Sequence, residues 1–106
     1  LYNDDDLAAR VGPVLQRTVG DSNVEHAEPV MGAEDFSLYG KAGVPILMYR
    51  LGSVSQRRLE QYQAAGRTPP SLHSPLYYPD FELTLRTGVA TMVETVVELM
   101  PTSAVR

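Results

Sequence analysis

The chain has 106 residues, of which 43% are hydrophobic, a formal net charge of -4 and an isoelectric point near 5.0. This length fits one small domain, which would bury roughly 60 to 70% of its unfolded surface. The acidic balance argues against nucleic acid as a partner, because proteins that bind phosphate backbones carry a basic stripe. No apolar run is long enough to span a bilayer, so no membrane segment is expected. Cysteine is absent, which excludes disulfides and thiolate metal sites within the chain.

The first predicted element is a helix capped by Asn3. Three aspartates fill its first turn, where the helix dipole favours negative charge. Residues at helical spacing then form one face that ends at Gly20: Leu7, Val11, Val14, Leu15, Thr18 and Val19. Pro13 lies inside this run and should kink or restart the helix, because it lacks a backbone donor. The aspartates could instead form a cation site, but no rigid loop follows to supply further ligands.

The middle of the chain predicts two strands, Asn23–Pro29 and Val44–Leu51, separated by a short helix over Glu34–Gly40. The second strand is an almost continuous apolar run, which is typical of a central, buried strand. Glycine and prolines break the stretch 52–79, although Ser55–Ala65 can form a helix. Two strands alone cannot make a stable sheet of this kind, which indicates that the chain packs against more protein.

A long C-terminal helix is the clearest element. Asp80 is its predicted cap, and Pro101 its predicted end. Between them the apolar residues form one stripe, which is predicted to be core: Leu85, Val89, Met92, Val93, Val96, Val97 and Met100.

His73 is the residue most in need of an explanation. It lies in Ser-Leu-His-Ser-Pro-Leu, residues 71 to 76, a tight loop bounded by proline. A neutral imidazole is a good ligand for zinc, manganese or nickel, and a stiff loop would fix its orientation. The alternative is a surface or half-buried histidine that bonds local backbone groups, since a metal site needs several ligands.

Two motifs that follow one another along the chain favour the metal-ligand role of His73 over the role of a surface histidine. Gly-Ala-Glu-Asp-Phe at 32 to 36 precedes the apolar run ending in Leu-Gly at 51 and 52, and Leu-His-Ser-Pro at 72 to 75 precedes the long helix. This arrangement resembles the C-terminal part of the hippurate hydrolase-like metal-dependent amidohydrolases, relatives of the aminoacylases and carboxypeptidases. The resemblance extends from about Asn3 to Met100.

The resemblance implies an α/β fold, namely a fragment of a three-layer α-β-α zinc-peptidase-like catalytic domain. The order of elements would be helix, strand, short helix, strand, loop, helix. Residues 1–106 would be the C-terminal segment of that domain, with Leu1 and Tyr2 as the tail of a strand leaving an inserted lid or dimerisation domain. That inserted domain and the larger N-terminal part are absent. The full-length parent is expected to be a homodimer, and its expected compartment is the cytoplasm.

The implied reaction is hydrolysis of the amide bond of an N-acyl amino acid or small peptide, assisted by two divalent metal ions: zinc, manganese or nickel. His73 corresponds to the last metal ligand. The other ligands and the general-base glutamate belong to the absent part, so this chain holds no catalytic residue. No metal is expected to bind the chain alone.

Gly32, Ala33, Glu34 and Asp35 correspond to a segment beside the substrate cleft. Backbone amides at the start of the short helix would suit a substrate carboxylate. Side chains at adjacent helical positions diverge, so a structural role for the two carboxylates, capping amides or orienting a ligand, is favoured over an acid/base pair.

Other polar side chains are assigned structural roles. On a strand, His26 would be half-exposed and structural, and Ser74 would be a local backbone partner because no base is placed to activate it. Arg57 and Arg58 are predicted to lie on a solvated helix face. Two rival hypotheses remain for the chain: a stand-alone α/β binding or interaction module without catalysis, and a purely structural subunit interface.

Overall fold

The computed structural model describes residues 1–28 and 30–100. All of the regular secondary structure in this part of the chain is helical. The helices are α1 (Asp5–Val19), a short 3-10 helix (Asp21–Asn23), α2 (Ser37–Lys41), α3 (Gln56–Ala64) and α4 (Phe81–Leu99). They belong to two compact units rather than one. The first unit comprises Leu1–Arg50 and the described residues from Ala90 onward, and the second comprises Leu51–Val89.

The predicted α/β fold is wrong, because residues 1–28 and 30–100 contain no β-strand. A strand needs a ladder of backbone hydrogen bonds, and the described residues give the apolar run at 44–51 no such ladder. The Val44 amide donates back to the Tyr39 carbonyl of α2 at 3.0 Å. The Asp4 amide donates to the Ile46 carbonyl at 2.8 Å. At Met48 the Asn3 side chain replaces a neighbouring backbone, since its amide donates to the Met48 carbonyl at 2.9 Å and its oxygen accepts from the Met48 amide at 2.8 Å.

The other predicted strand also has no regular structure where it is described. Residues 24–28 belong to no helix or strand, and Pro29 lies outside the described residues, as does Pro101, the predicted end of the last helix. The short helix exists, but α2 begins at Ser37, three residues later than predicted.

Helix α1 is capped by Asp4 rather than Asn3. The Asp4 carboxylate accepts the Leu7 amide at 2.8 Å, while Asn3 uses its side chain on Met48. The helix runs without a break through Pro13, so it does not restart there. It ends at Gly20, whose φ of 89° is a conformation that favours glycine.

The core of the first unit is small. Val11 and Val14 of α1 and Ile46 are its buried apolar residues, and Thr91 and Thr95 of α4 are buried as well. The Tyr49 hydroxyl lies 3.0 Å from the Thr91 hydroxyl. Glu98 of α4 joins α1 twice: its carbonyl accepts from Arg10, and its carboxylate pairs with Arg17 at 3.2 Å.

The face of α4 that is buried is not the predicted one. Every member of the predicted aliphatic stripe, Leu85 to Met100, is exposed, Val93 for example by 53%. The threonines of the opposite face are buried instead. Among the described residues, the threonine face of α4 is therefore covered and its aliphatic face is not. No helix within residues 1–28 and 30–100 is long and apolar enough to cross a membrane.

The second unit is built from α3, the start of α4 and the connection between them. The predicted helix is present, but α3 begins at Gln56 and ends at Ala64, one residue inside each end of the predicted range Ser55–Ala65. Gly66 follows it with a φ of 63°. The Asp80 amide donates to the Ser53 carbonyl at 2.8 Å, which joins the residues before α3 to the residue before α4. The chain between these points contains His73.

Candidate functional site

His73 is the third residue of a tight turn. The Ser74 amide donates to the Ser71 carbonyl at 3.1 Å, which closes residues 71–74 into a β-turn. The φ of His73 is 69°, and among residues 1–28 and 30–100 no other non-glycine residue has a positive φ. A positive φ at the third position, without one at Leu72, is the pattern of a type II turn. That position normally takes glycine or asparagine.

A second turn follows at once. The Tyr77 amide donates to the Ser74 carbonyl at 3.0 Å, with Pro75 at the second position, where proline is favoured. The Ser74 hydroxyl accepts the Leu76 amide at 3.2 Å, so Ser74 is the local backbone partner that the sequence predicted. Two consecutive turns thus fix the backbone on the C-terminal side of His73.

The left-handed backbone of His73 is a conformation that asparagine or glycine would adopt more easily, and it costs about 1 to 2 kcal/mol for most L-residues. Strain of this kind concentrates at functional sites. The imidazole is exposed, and it makes no hydrogen bond or ion pair with another described residue. Local backbone groups are bonded by Ser74 instead, so His73 has no capping role and its side chain lies at the surface, as the alternative interpretation of the sequence also allowed.

The ends of the His73 connection are joined by Arg58 and Asp80. The Arg58 guanidinium donates to the Tyr78 carbonyl at 2.7 Å, lies 3.3 Å from the Asp80 carboxylate and covers the Tyr78 ring. The other Asp80 oxygen accepts the Ser55 amide at 2.6 Å. Hydrogen bonds from Ser55, and then the Arg58 guanidinium, hold the pKa of Asp80 below its usual range.

This arrangement corrects two predictions. Arg58 does not lie on a fully solvated helix face, since its side chain is only 21% exposed and has three partners. Asp80 precedes α4 as predicted, but its carboxylate binds the residue before α3 and not the first turn of its own helix. The sequence holds no local signal for these contacts, because their partners lie 20 or more residues apart.

Gly32, Ala33, Glu34 and Asp35 line an open cleft of about 800 Å³ in the first unit. Tyr2, Lys41 and Ile46 contribute to other parts of its wall. The Glu34 carboxylate accepts the Phe36 amide at 3.1 Å, which is the local amide-capping role favoured from the sequence. Adjacent Asp35 is exposed.

The amides that could receive a substrate carboxylate differ from those expected. The amides of Ser37, Leu38 and Tyr39 donate to carbonyls three residues earlier, so the start of α2 has no free donor there. The amides of Gly32 to Asp35 donate no hydrogen bond to another described residue. Any carboxylate recognition in the cleft would therefore use the 32–35 backbone itself.

His73 belongs to the second unit and the 32–35 segment to the first. No group of three or more His, Asp or Glu side chains within residues 1–28 and 30–100 could hold a metal ion. His26 is exposed in a segment without regular structure, whereas the sequence predicted a half-exposed position on a strand. No strand partner holds that segment, which accounts for the difference.

Comparison with known proteins identified no relative of this chain. No protein-family model matches the chain, and neither the curated proteins nor the solved structures give a match.

Proposed function

We propose that this chain is the C-terminal segment of the catalytic domain of a two-metal amidohydrolase and that His73 is its metal ligand. The observation that carries the proposal is the backbone of His73. An exposed imidazole occupies a turn position with a φ of 69°, where glycine or asparagine would be less strained. The ordered motifs at residues 32–36 and 72–75 give the reaction class by resemblance.

The residues present fit part of such a centre. His73 would hold one metal ion through one ring nitrogen, and the chain has no cysteine that would direct the site toward thiolate chemistry. Bound metal ions would supply Lewis-acid assistance and an activated water for amide hydrolysis. The remaining ligands and the general base would come from the N-terminal part of the proposed parent, which is proposed to be a cytoplasmic homodimer.

The 32–35 segment would form part of the substrate cleft. Its amides, which donate to no other described residue, can donate to a carboxylate. The apolar side chains in the same cleft can contact an acyl group or an amino-acid side chain. The proposed substrates are N-acyl amino acids or small peptides.

A second function is favoured by a different observation. The exposed aliphatic residues of α4 suit a binding or interaction module that has no catalytic role. In that case the left-handed backbone of His73 would be incidental.

Hydrolysis of N-acyl amino acids by the parent protein distinguishes the two functions. We expect turnover that a chelator abolishes and that added zinc or manganese restores, while the isolated chain has none because one imidazole cannot hold two metals. Turnover by the isolated chain above that of its His73→Ala variant would contradict the assignment of the missing ligands. A parent without metal-dependent turnover would favour the interaction module.

A further inference from the structure

The connection that carries His73 is attached to the second unit by a compact set of contacts at its base. On one side lie the residues before and within the first turn of α3, and on the other the residues just before α4. Five polar interactions join the two sides: Asp80 amide to Ser53 carbonyl, Ser53 hydroxyl to Tyr77 hydroxyl, Ser55 amide to Asp80 carboxylate, Arg58 to the Tyr78 carbonyl, and Arg58 to the Asp80 carboxylate. We call this set the loop clamp.

Between the two sides of the loop clamp, the connection makes only local hydrogen bonds. The Arg67 amide donates to the Tyr62 carbonyl at the end of α3, and the two turns around Ser74 bond within themselves. No hydrogen bond joins residues 68–73 to a described residue outside the segment 66–80. The order of His73 therefore depends on how firmly the ends of the connection are held.

Arg58 is the residue best placed to hold both ends. It belongs to α3, and it contacts the Tyr78 carbonyl, the Tyr78 ring and the Asp80 carboxylate at the other end. Its side chain and that of Asp80 are only 21% and 26% exposed, so water weakens this pair less than it weakens a surface pair.

We propose that Arg58 and Asp80 are positioning residues, which close the connection at its base and thereby keep His73 in its left-handed turn, ready to bind metal. The metal-binding part of this inference rests on the proposed function. The closing of the connection rests on the contacts alone. Neither side chain would touch metal or substrate.

The chain offers a matched control for this ion pair. Arg86 and Glu82 pair at 3.1 Å on α4, but their side chains are 77% and 68% exposed, and they join no separate segments. Glu82→Gln and Arg86→Met remove an ion pair of the same chemistry that does not hold the connection.

Hydrogen–deuterium exchange measured by mass spectrometry tests the closing of the connection in the full chain at low concentration. In Arg58→Met, the peptide covering residues 70–78 should exchange roughly ten-fold faster, while peptides from α1 and α4 keep their wild-type rates. Arg58→Lys should restore most of the protection, because an ammonium can also donate to Tyr78 and Asp80. The two control variants should match wild type. Unchanged exchange at 70–78 in Arg58→Met would overturn the proposal.

If the amides of α4 also exchange faster in Arg58→Met, the whole unit has opened in that variant. Exchange in Asp80→Asn then tests the loop clamp. It has the same shape but lacks the charge that Arg58 pairs with. Faster exchange confined to 70–78 supports the loop clamp, and wild-type exchange overturns it.

Metal affinity of the parent separates this inference from the proposed function. We expect Arg58→Met to weaken zinc binding by about ten-fold, within the range for residues that orient a ligand, and His73→Ala to weaken it more. If His73→Ala lowers affinity and Arg58→Met does not, the positioning role fails and the ligand survives. If neither variant lowers it, the proposed function itself fails.

Discussion

At the scale of the residue, His73 combines an exposed side chain with a left-handed backbone that is uncommon for residues other than glycine. The sequence predicted a tight loop here, because Pro75 and the flanking serines are typical turn residues. It could not predict the positive φ, since His73 occupies a position where the usual signal would be glycine or asparagine. The positive φ of His73 became visible only in the structure.

His73→Asn tests whether the His73 side chain contributes to the stability of the chain. Asparagine tolerates the left-handed backbone, so we expect the free energy of unfolding to stay the same or to rise by up to about 1 kcal/mol. Urea unfolding of the chain measures this, with His26→Asn as a control that should change nothing. A clear loss of stability would mean that the His73 side chain has a structural role.

Asp80 should make the second unit sensitive to acid. Its folded pKa lies below the usual value, so it contributes stability that is present above about pH 4 and is lost as the pH falls through the lowered pKa. Asp80→Asn should therefore be less stable than wild type at pH 7, with the difference shrinking at pH 3. Urea midpoints at both pH values check this. An equal difference at both would show that the charge of Asp80 is not responsible.

At the scale of the element, helices were predictable and strands were not. The three longer helices are present because the signals that predict them are local, above all the helical spacing of their apolar residues and the glycines that follow α1 and α3. The apolar run at 44–51 was predicted to be a central, buried strand, but only Ile46 of it is buried. A strand requires a ladder of partners, and the backbone of this run has only separate bonds to Asn3, Asp4 and Tyr39 among the described residues. The sequence singled out His73 and the 32–35 segment as candidates, and it missed the long-range contacts of Arg58 and Asp80.

Helix α4 shows why apolar composition did not identify the buried face. Its large aliphatic side chains are exposed, while the smaller Thr91 and Thr95 are buried. Among the described residues Thr95 has a buried hydroxyl without a hydrogen-bond partner, whereas the Thr91 hydroxyl bonds Tyr49. A periodic stripe indicates which residues could be core, but it cannot indicate which side the same chain covers.

Replacing each of the two buried threonines by valine should change the stability in opposite directions. Thr95→Val should raise the free energy of unfolding by about 1 kcal/mol, because it removes an unsatisfied buried hydroxyl at similar volume. Thr91→Val should lower it by about the same amount, because it leaves the Tyr49 hydroxyl without this partner. Thermal unfolding of both variants gives the comparison, and destabilisation by Thr95→Val would show that its hydroxyl is satisfied in solution.

At the scale of the whole molecule, the described residues leave many large apolar side chains exposed, above all those of the predicted stripe of α4. An exposed apolar patch of this kind is typical of a surface that packs against further protein.

The isolated chain should therefore associate. Replacing Val93 and Val97 by lysine should reduce association, since it places charge on the exposed stripe without touching the buried threonines. Ala9→Lys with Gln16→Lys adds the same charge on the exposed surface of α1 and is the control. Sedimentation velocity measures all three proteins. A monodisperse wild-type monomer with a sharp, cooperative melt would favour the stand-alone module.

The most direct test of the central claim is the metal content of the parent protein with each histidine replaced in turn. His73→Ala should cut zinc occupancy or the rate of hydrolysis by at least roughly 10- to 100-fold, because loss of a direct ligand should exceed the effect typical of groups that only orient one. His26→Ala should change both by little, since His26 is exposed in a segment without regular structure. Metal analysis and initial rates on the two variants in parallel give the answer. Small and equal effects would contradict the assignment of His73 as a metal ligand.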